Sequence, residues 1–139
     1  MMNDSYLSIF SDVVTVKILC KTPIETNLLF RLRQSARDGN IKIFRDPLGN
    51  PVGYAAWFSI NKESLVQMSN SKSLPSFPHE WNEGYLRTLY DVNYAPGWNK
   101  LAGDLFRDFI KSNRLIVTMR RSGVKIWFRC KNKYRCIKF

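Results

Sequence analysis

The sequence predicts an α/β fold in which helices flank a mixed central sheet. Segments with apolar residues at helical spacing alternate with short β-branched and aromatic runs. The chain has 139 residues, of which 45% are hydrophobic, and this suits one domain with one core. We therefore expect a single domain over residues 1–139, with the basic strands of residues 109–139 as part of it.

Two helices are expected before the first strand. The first covers Tyr6–Cys20 and ends before Pro23, which disfavours helical backbone in the residue that precedes it. Thr26 or Asn27 is expected to cap the second helix, which continues to about Asp38. The apolar residues of this second helix form one stripe: Leu28, Leu29, Leu32 and Ala36.

A β-hairpin and a short helix follow. Ile41–Phe44 and Val52–Phe58 read as two strands, and the Asp, Pro, Gly and Asn residues between them are typical of a turn. Asn61 is then placed to cap a helix over Lys62–Ser69. The hairpin is the clearest local prediction in the chain.

The second half of the chain alternates strands with one long helix. A strand over Tyr85–Tyr90 is expected to end at Asp91, and a loop then leads to a helix over Lys100–Lys111. Two basic strands follow, Leu115–Met119 and Val124–Phe128. A hairpin followed by a strand, a loop and a long helix resembles the core order of the GCN5-type acyltransferase fold. In that fold, the strand and the helix frame the acyl-donor cleft.

Composition disfavours several kinds of site and location. The cysteines Cys20, Cys130 and Cys136 are too scattered for a disulfide framework, and with a single histidine, His79, we expect no metal site. No apolar run reaches the roughly 18 residues of a transmembrane helix. The first residues do not have the pattern of a secretory signal, so we expect a cytoplasmic protein.

The positive charge is concentrated in the last segment. Residues 1–108 carry 12 Lys/Arg and 11 Asp/Glu, whereas residues 109–139 carry 10 Lys/Arg and no acidic residue. A field of this kind attracts an acidic partner, and charge alone fits nucleic acid, an anionic membrane or an acidic protein. The basic residues expected to bind this partner are Arg120, Arg121, Lys125 and Arg129.

Three stretches resemble the RTX-toxin-activating (haemolysin-activating) lysine acyltransferases. They are Arg45-Asp46 with Pro51–Trp57, Trp81–Gly84 with Leu89-Tyr90-Asp91 and Ala95-Pro96, and Lys21–Ile24. The spacing of Trp, Gly, Asp and Ala-Pro in the second stretch is the most specific feature. The resemblance extends over roughly residues 18–128 and implies that the chain is a divergent member with a GCN5-like fold.

The resemblance implies transfer of a fatty acyl group from acyl carrier protein to a lysine of a partner protein. Asp91 then matches the functional aspartate of the family, and Glu25 stands where the family has its catalytic histidine. A carboxylate would need burial beside Asp91 to act as the base, and His79 is the other candidate. The aromatic residues expected to bind the acyl chain are Trp57, Tyr94 and Trp98.

Acyl carrier protein is a more probable donor than coenzyme A on sequence grounds. Residues 95–103 keep two glycines but lack the Gln/Arg-x-x-Gly-x-Gly/Ala pattern of acetyl-CoA enzymes, which cradles a pyrophosphate. We expect no bound cofactor, and a homodimer is left open. Two other hypotheses remain. One is a catalytically inactive relic that binds or inhibits a partner. The other is a basic nucleic-acid-binding protein.

Overall fold

The structure is a computed structural model that describes residues 5–71, 81–120, 123–130 and 133–138. The chain divides into two compact units, and each combines two stretches of sequence. The first unit comprises Met1–Ala56 and Asp91–Asp108, and the second comprises Trp57–Tyr90 and Phe109–Phe139. Within the described residues, no helix has both the length and the apolar character needed to cross a bilayer.

Four helices and six strands make up the described chain. In order they are α1 (Ser5–Cys20), α2 (Thr26–Arg37), β1 (Ile41–Arg45), β2 (Pro51–Ile60), α3 (Lys62–Ser71), β3 (Leu86–Tyr94), α4 (Asn99–Lys111), β4 (Leu115–Arg120), β5 (Gly123–Cys130) and β6 (Lys133–Lys138). The strands form one sheet in the order β1 to β6. Strands β3 and β4 are parallel, whereas β1–β2, β4–β5 and β5–β6 are antiparallel. The predicted α/β class with a mixed sheet is confirmed.

The first unit packs helical side chains and strand side chains around a small apolar interior. Val13 and Val16 of α1 and Leu32 of α2 are fully buried. Phe44 is almost fully buried, and its ring meets the ring of Phe106 edge-on at 6.1 Å between centroids. These contacts explain the spacing of the apolar residues in α2 and α4.

The second unit has its own hydrophobic cluster. Phe58 is fully buried, and its ring lies 4.8 Å from Trp81 and 5.5 Å from Tyr90. The cluster contains Phe58, Ile60, Leu65, Met68, Trp81, Leu86, Val117 and Val124. Gly84 is required nearby, because a Cβ atom there would lie 2.0 Å from the carbonyl oxygen of Ile60. Close backbone approach therefore explains why glycine follows Trp81 at this spacing.

The prediction that β3 ends at Asp91 is wrong. The strand continues to Tyr94, and the N–H of Ala95 donates to the carbonyl oxygen of Val52 at 2.8 Å. Aspartate and asparagine favour turns when their side chains bond the local backbone. Here Asp91 and Asn93 bond each other through their side chains instead, so they remain within the sheet.

Two further predictions about element ends need correction. The N-cap of α2 is Glu25, not Thr26 or Asn27, because Glu25 keeps an extended backbone and its carbonyl accepts the N–H of Leu29 at 3.1 Å. Strand β6 was not predicted, since its lysines and arginine mask the strand pattern. A strand at the end of a sheet tolerates such residues, because one side of it faces solvent. Asn61 does cap α3, accepting the N–H of Ser64 at 2.8 Å.

Candidate functional site

A compact polar cluster surrounds Asp91 in the first unit. Oδ2 of Asp91 accepts a hydrogen bond of 2.5 Å from the hydroxyl of Tyr54 and lies 3.1 Å from Nζ of Lys17. Nδ2 of Asn93 donates to Oδ1 of Asp91 and to the hydroxyl oxygen of Tyr54, both at 2.9 Å. Three side chains therefore hold the carboxylate in one orientation. We call Lys17, Tyr54, Asp91 and Asn93 the Asp91 cluster.

Three elements position these side chains. Lys17 lies near the end of α1 and Tyr54 lies in β2, whereas Asp91 and Asn93 are two residues apart in β3 and therefore share a face of the strand. Gly53 allows the close approach of backbones beside the cluster. A Cβ atom at Gly53 would lie 3.0 Å from the carbonyl oxygen of Asn93.

The cluster is largely withdrawn from solvent. The side chains of Lys17 and Asp91 are 6% and 15% exposed, and Tyr54 is fully buried. Transferring a charged group from water into the protein costs free energy. Buried charges therefore persist when they are paired and hydrogen-bonded. Lys17 also lies 5.8 Å from the centre of the Tyr54 ring, which adds a favourable cation–π contact.

Cys20 borders the cluster as a neutral thiol. Its Sγ atom donates to the carbonyl oxygen of Tyr94 at 3.2 Å. Burial raises the pKa of the Cys20 thiol above its ordinary value, the positive charge of Lys17 opposes this rise, and the charge of Asp91 adds to it. The thiolate is the nucleophilic form of cysteine, so a raised pKa argues against Cys20 as the group that carries an acyl chain.

The Asp91 carboxylate keeps one acceptor position open with respect to the described residues. A carboxylate has about four lone-pair positions. Lys17 and Tyr54 use two on Oδ2, and Asn93 uses one on Oδ1. The remaining position on Oδ1 suits an amine or imidazole N–H donor. The arrangement can therefore orient a nitrogen nucleophile or its base.

Of the two other predicted catalytic residues the structure describes only Glu25, which lies outside the Asp91 cluster. Glu25 is exposed at the N-cap of α2, and among the described residues its side chain makes no capping hydrogen bond. The burial beside Asp91 that a catalytic Glu25 would need is absent there. His79 lies outside the described residues.

The three predicted acyl-binding aromatic residues have different surroundings. In the first unit, Tyr94 lies edge-on to Phe106 at 6.3 Å, and burial raises the pKa of its hydroxyl while Arg107 opposes the rise. Trp98 directly precedes α4 and is 39% exposed. In the second unit, Trp57 is buried against the Phe109 ring at 5.1 Å. Only Trp98 presents a large free surface.

Two of the four predicted basic residues are fully described. Lys125 is half-buried in β5, and Arg129 is exposed, with Nη1 donating to the carbonyl oxygen of Lys111 at 3.1 Å. Arg120 ends β4, and neither its side chain nor Arg121 is among the described parts of the structure. Within those parts, no group of His, Cys, Asp and Glu side chains has the arrangement of a metal site.

Sequence reasoning missed Lys17, Tyr54 and Asn93 as site residues. One signal was available for Lys17, a single cation between valines and isoleucine in the apolar stretch of α1. A charge on the buried side of a helix needs a partner, and the resemblance had already singled out Asp91. Tyr54 lies in the stretch that carries the resemblance, but only its contact with Asp91 gives it a role.

The chain matches no protein-family model, and no curated protein matches it at a significant level. The Asp91 cluster must therefore be interpreted from its own geometry.

Proposed function

We propose that this protein transfers a fatty acyl group from acyl carrier protein to a lysine of a partner protein. The observation that supports the proposal is the largely buried, hydrogen-bonded carboxylate of Asp91, at the position that the resemblance assigns to a functional aspartate. A desolvated and oriented carboxylate is costly for stability, and such groups are frequent at active sites.

The proposed reaction converts a thioester into an amide. The neutral lysine amine of the partner attacks the thioester carbonyl, the carbon–sulfur bond breaks, and the carrier thiol leaves as the amine loses a proton. Asp91 is proposed to orient the attacking nitrogen through its open acceptor position on Oδ1. Lys17 and Tyr54 keep that carboxylate in place. His79 remains the proposal for the base that takes the proton, since Glu25 is exposed and lies outside the Asp91 cluster.

The fold order gives the proposal secondary support. Strands β3 and β4 are parallel, and α4 lies between them in the chain. Thr88 pairs with Val117, and Leu89 pairs with Thr118. A hairpin followed by a strand, a loop and a long helix is the core order of GCN5-type acyltransferases, and β1, β2, β3 and α4 follow each other in this way, with α3 between β2 and β3. A GCN5-like fold is accordingly part of the proposal.

The test uses acyl carrier protein loaded with a palmitoyl chain and a protoxin that a known toxin-activating enzyme acylates. Intact mass measures acyl transfer, and resistance to hydroxylamine identifies an amide. We expect wild-type protein to modify the protoxin, and Asp91→Asn to lower the rate at least about 100-fold. Asp104→Asn is the matched control, because Asp104 is an exposed carboxylate of the same unit.

One observation favours a second candidate function, that of an inactive relic that binds a partner. Glu25, which stands in place of the family histidine, is exposed and outside the Asp91 cluster. If wild-type protein leaves the protoxin unmodified while the known enzyme acylates it, the enzyme proposal is overturned. Retained binding of acyl carrier protein or protoxin in the same samples would then support the relic.

A further inference from the structure

Strand β5 of the second unit has one apolar face and one basic face. Val124 is buried in the hydrophobic cluster, and Ile126 packs against it. The alternate residues of β5, Lys125, Trp127 and Arg129, lie on the opposite face because successive strand residues point to opposite sides. Only this second face of β5 carries cationic side chains.

Strand β6 extends the basic face. The register places Lys138 directly opposite Lys125 and Cys136 directly opposite Trp127, and both β6 residues are exposed. Residues directly opposite in an antiparallel pair share a face. We call Lys125, Trp127, Arg129, Cys136 and Lys138 the β5–β6 basic face.

The position of the two lysines is unfavourable for the isolated protein. Like charges directly opposite each other on neighbouring strands are destabilising, and residues 109–139 contain no acidic residue to compensate them. Lysines often protect a sheet edge from aggregation, and this explains Lys138 in β6. It does not explain Lys125 and Arg129, because β5 is flanked by strands on both sides. An anionic ligand on this face accounts for all three.

Trp127 distinguishes between classes of anionic ligand. Its side chain is exposed by about a third (36%), and its indole N–H donates to the hydroxyl oxygen of Thr118 at 3.1 Å, which orients the ring. At a protein interface an indole normally packs into a desolvated pocket, whereas Trp127 shares its face with Lys125, Arg129 and Lys138. A single-stranded nucleic acid uses both the cations and the indole, since phosphates pair with lysine and arginine and unpaired bases stack on aromatic rings.

We propose that the β5–β6 basic face binds single-stranded nucleic acid, with Trp127 as the base-stacking platform. Lys125, Lys138 and Arg129 contact the phosphates around it. This activity goes beyond the proposed acyl transfer and does not depend on it. We infer a single-stranded ligand because stacking on Trp127 requires a base with an exposed face. A base within a duplex does not offer its face for stacking.

The test measures binding of the full chain to a fluorescent single-stranded RNA of mixed sequence by anisotropy at several salt concentrations. We expect Trp127→Ala to weaken binding about tenfold and Trp127→Phe, which keeps a ring, to retain most of the affinity. Trp98→Ala is the matched control, since Trp98 is similarly exposed but lies in the first unit. It should bind like wild type.

Salt dependence tests the phosphate contacts. The logarithm of the association constant falls linearly with the logarithm of the salt concentration. Replacing Lys125 and Lys138 by glutamine should make this negative slope shallower by about 1.4, which corresponds to two lost phosphate contacts on a single strand. Lys42→Gln, an exposed lysine of β1, should leave the slope unchanged. Circular dichroism and thermal unfolding confirm that each variant is folded.

Three results would overturn the inference. The first is the absence of RNA binding at low salt, and the second is equal affinity of the Trp127→Ala and Trp98→Ala variants. The third is binding of polyglutamate or acyl carrier protein to this face without binding of RNA, which would assign the face to an acidic protein. The acyl-transfer assay with Asp91→Asn contains no RNA and measures a different unit, so the two proposals can fail separately.

Discussion

Nζ of Lys17 lies 3.1 Å from Oδ2 of Asp91, and their side chains are only 6% and 15% exposed. This ion pair connects α1 to β3 within the first unit. Replacing Lys17 by methionine would leave the Asp91 charge buried without its cation. We expect Lys17→Met to lower the free energy of unfolding by about 3–5 kcal/mol, measured by urea denaturation.

A double-mutant cycle distinguishes loss of the ion pair from loss of packing. Asp91→Asn removes the charge that Lys17→Met leaves unpaired, so the double variant should be more stable than the sum of the two single effects predicts. Additive effects of the two substitutions would contradict a direct Lys17–Asp91 interaction.

The buried hydroxyl of Tyr54 is expected to stabilise the Asp91 cluster. It donates to Asp91 at 2.5 Å and accepts from Asn93 at 2.9 Å. Tyr54→Phe keeps the ring but removes a hydrogen bond to a charged group, at a cost of about 1.5–3 kcal/mol. The same urea titration measures this cost. Tyr85→Phe, at an exposed tyrosine of the second unit, is the control and should change little. Equal stability of both variants would contradict the prediction.

Three glycine-to-alanine substitutions should differ in sign and size. A Cβ at Gly84 would lie 2.0 Å from the carbonyl oxygen of Ile60, so Gly84→Ala should destabilise by at least about 2 kcal/mol. Gly53→Ala should cost about 1 kcal/mol, since its nearest contact is 3.0 Å. Gly103 lies in α4 with open space around it, so Gly103→Ala should stabilise by about 0.5–1 kcal/mol. Thermal unfolding of the three variants tests this order, and a destabilising Gly103→Ala would contradict it.

The turn of the β1–β2 hairpin should contribute pH-dependent stability through Asp46. Oδ1 of Asp46 accepts the N–H groups of Leu48 and Asn50, both at 2.9 Å. The hydrogen bonds from Asn50 are the main reason why the pKa of Asp46 lies below its ordinary value of 3.8. A lowered folded-state pKa gives stability above the unfolded pKa, and this stability is lost as pH falls through the folded value.

Asp46→Ala should therefore lower Tm at pH 7, and the difference from wild type should shrink as pH falls below about 4. Thermal unfolding monitored across this pH range provides the measurement. Asp108→Ala, at an exposed carboxylate of α4, is the control and should show no comparable trend. A Tm difference between Asp46→Ala and wild type that is the same at all pH values would contradict the prediction. It would assign the effect to the geometry of the turn alone.

Local sequence patterns predicted most elements, because each depends on residues that are close in the chain. The α1 bounds, the hairpin and the Asn61 cap of α3 follow from breakers, turn residues and capping side chains. The end of β3 was missed because Asp91 and Asn93 look like turn residues when read locally. Their side chains bond Tyr54, which lies 37 residues before Asp91 and cannot be found by local pattern.

The sequence by itself determined the α/β class and the uneven charge, which rest on composition and periodicity. It singled out Asp91 only as a prediction, through the spacing of the few residues that carry the resemblance. Only the tertiary structure decided that Lys17 and Tyr54 hold Asp91, that Glu25 is exposed, and that Lys125 lies opposite Lys138. Such pairings depend on how distant segments pack and on strand register. A shift of one residue in that register would move every side chain to the other face.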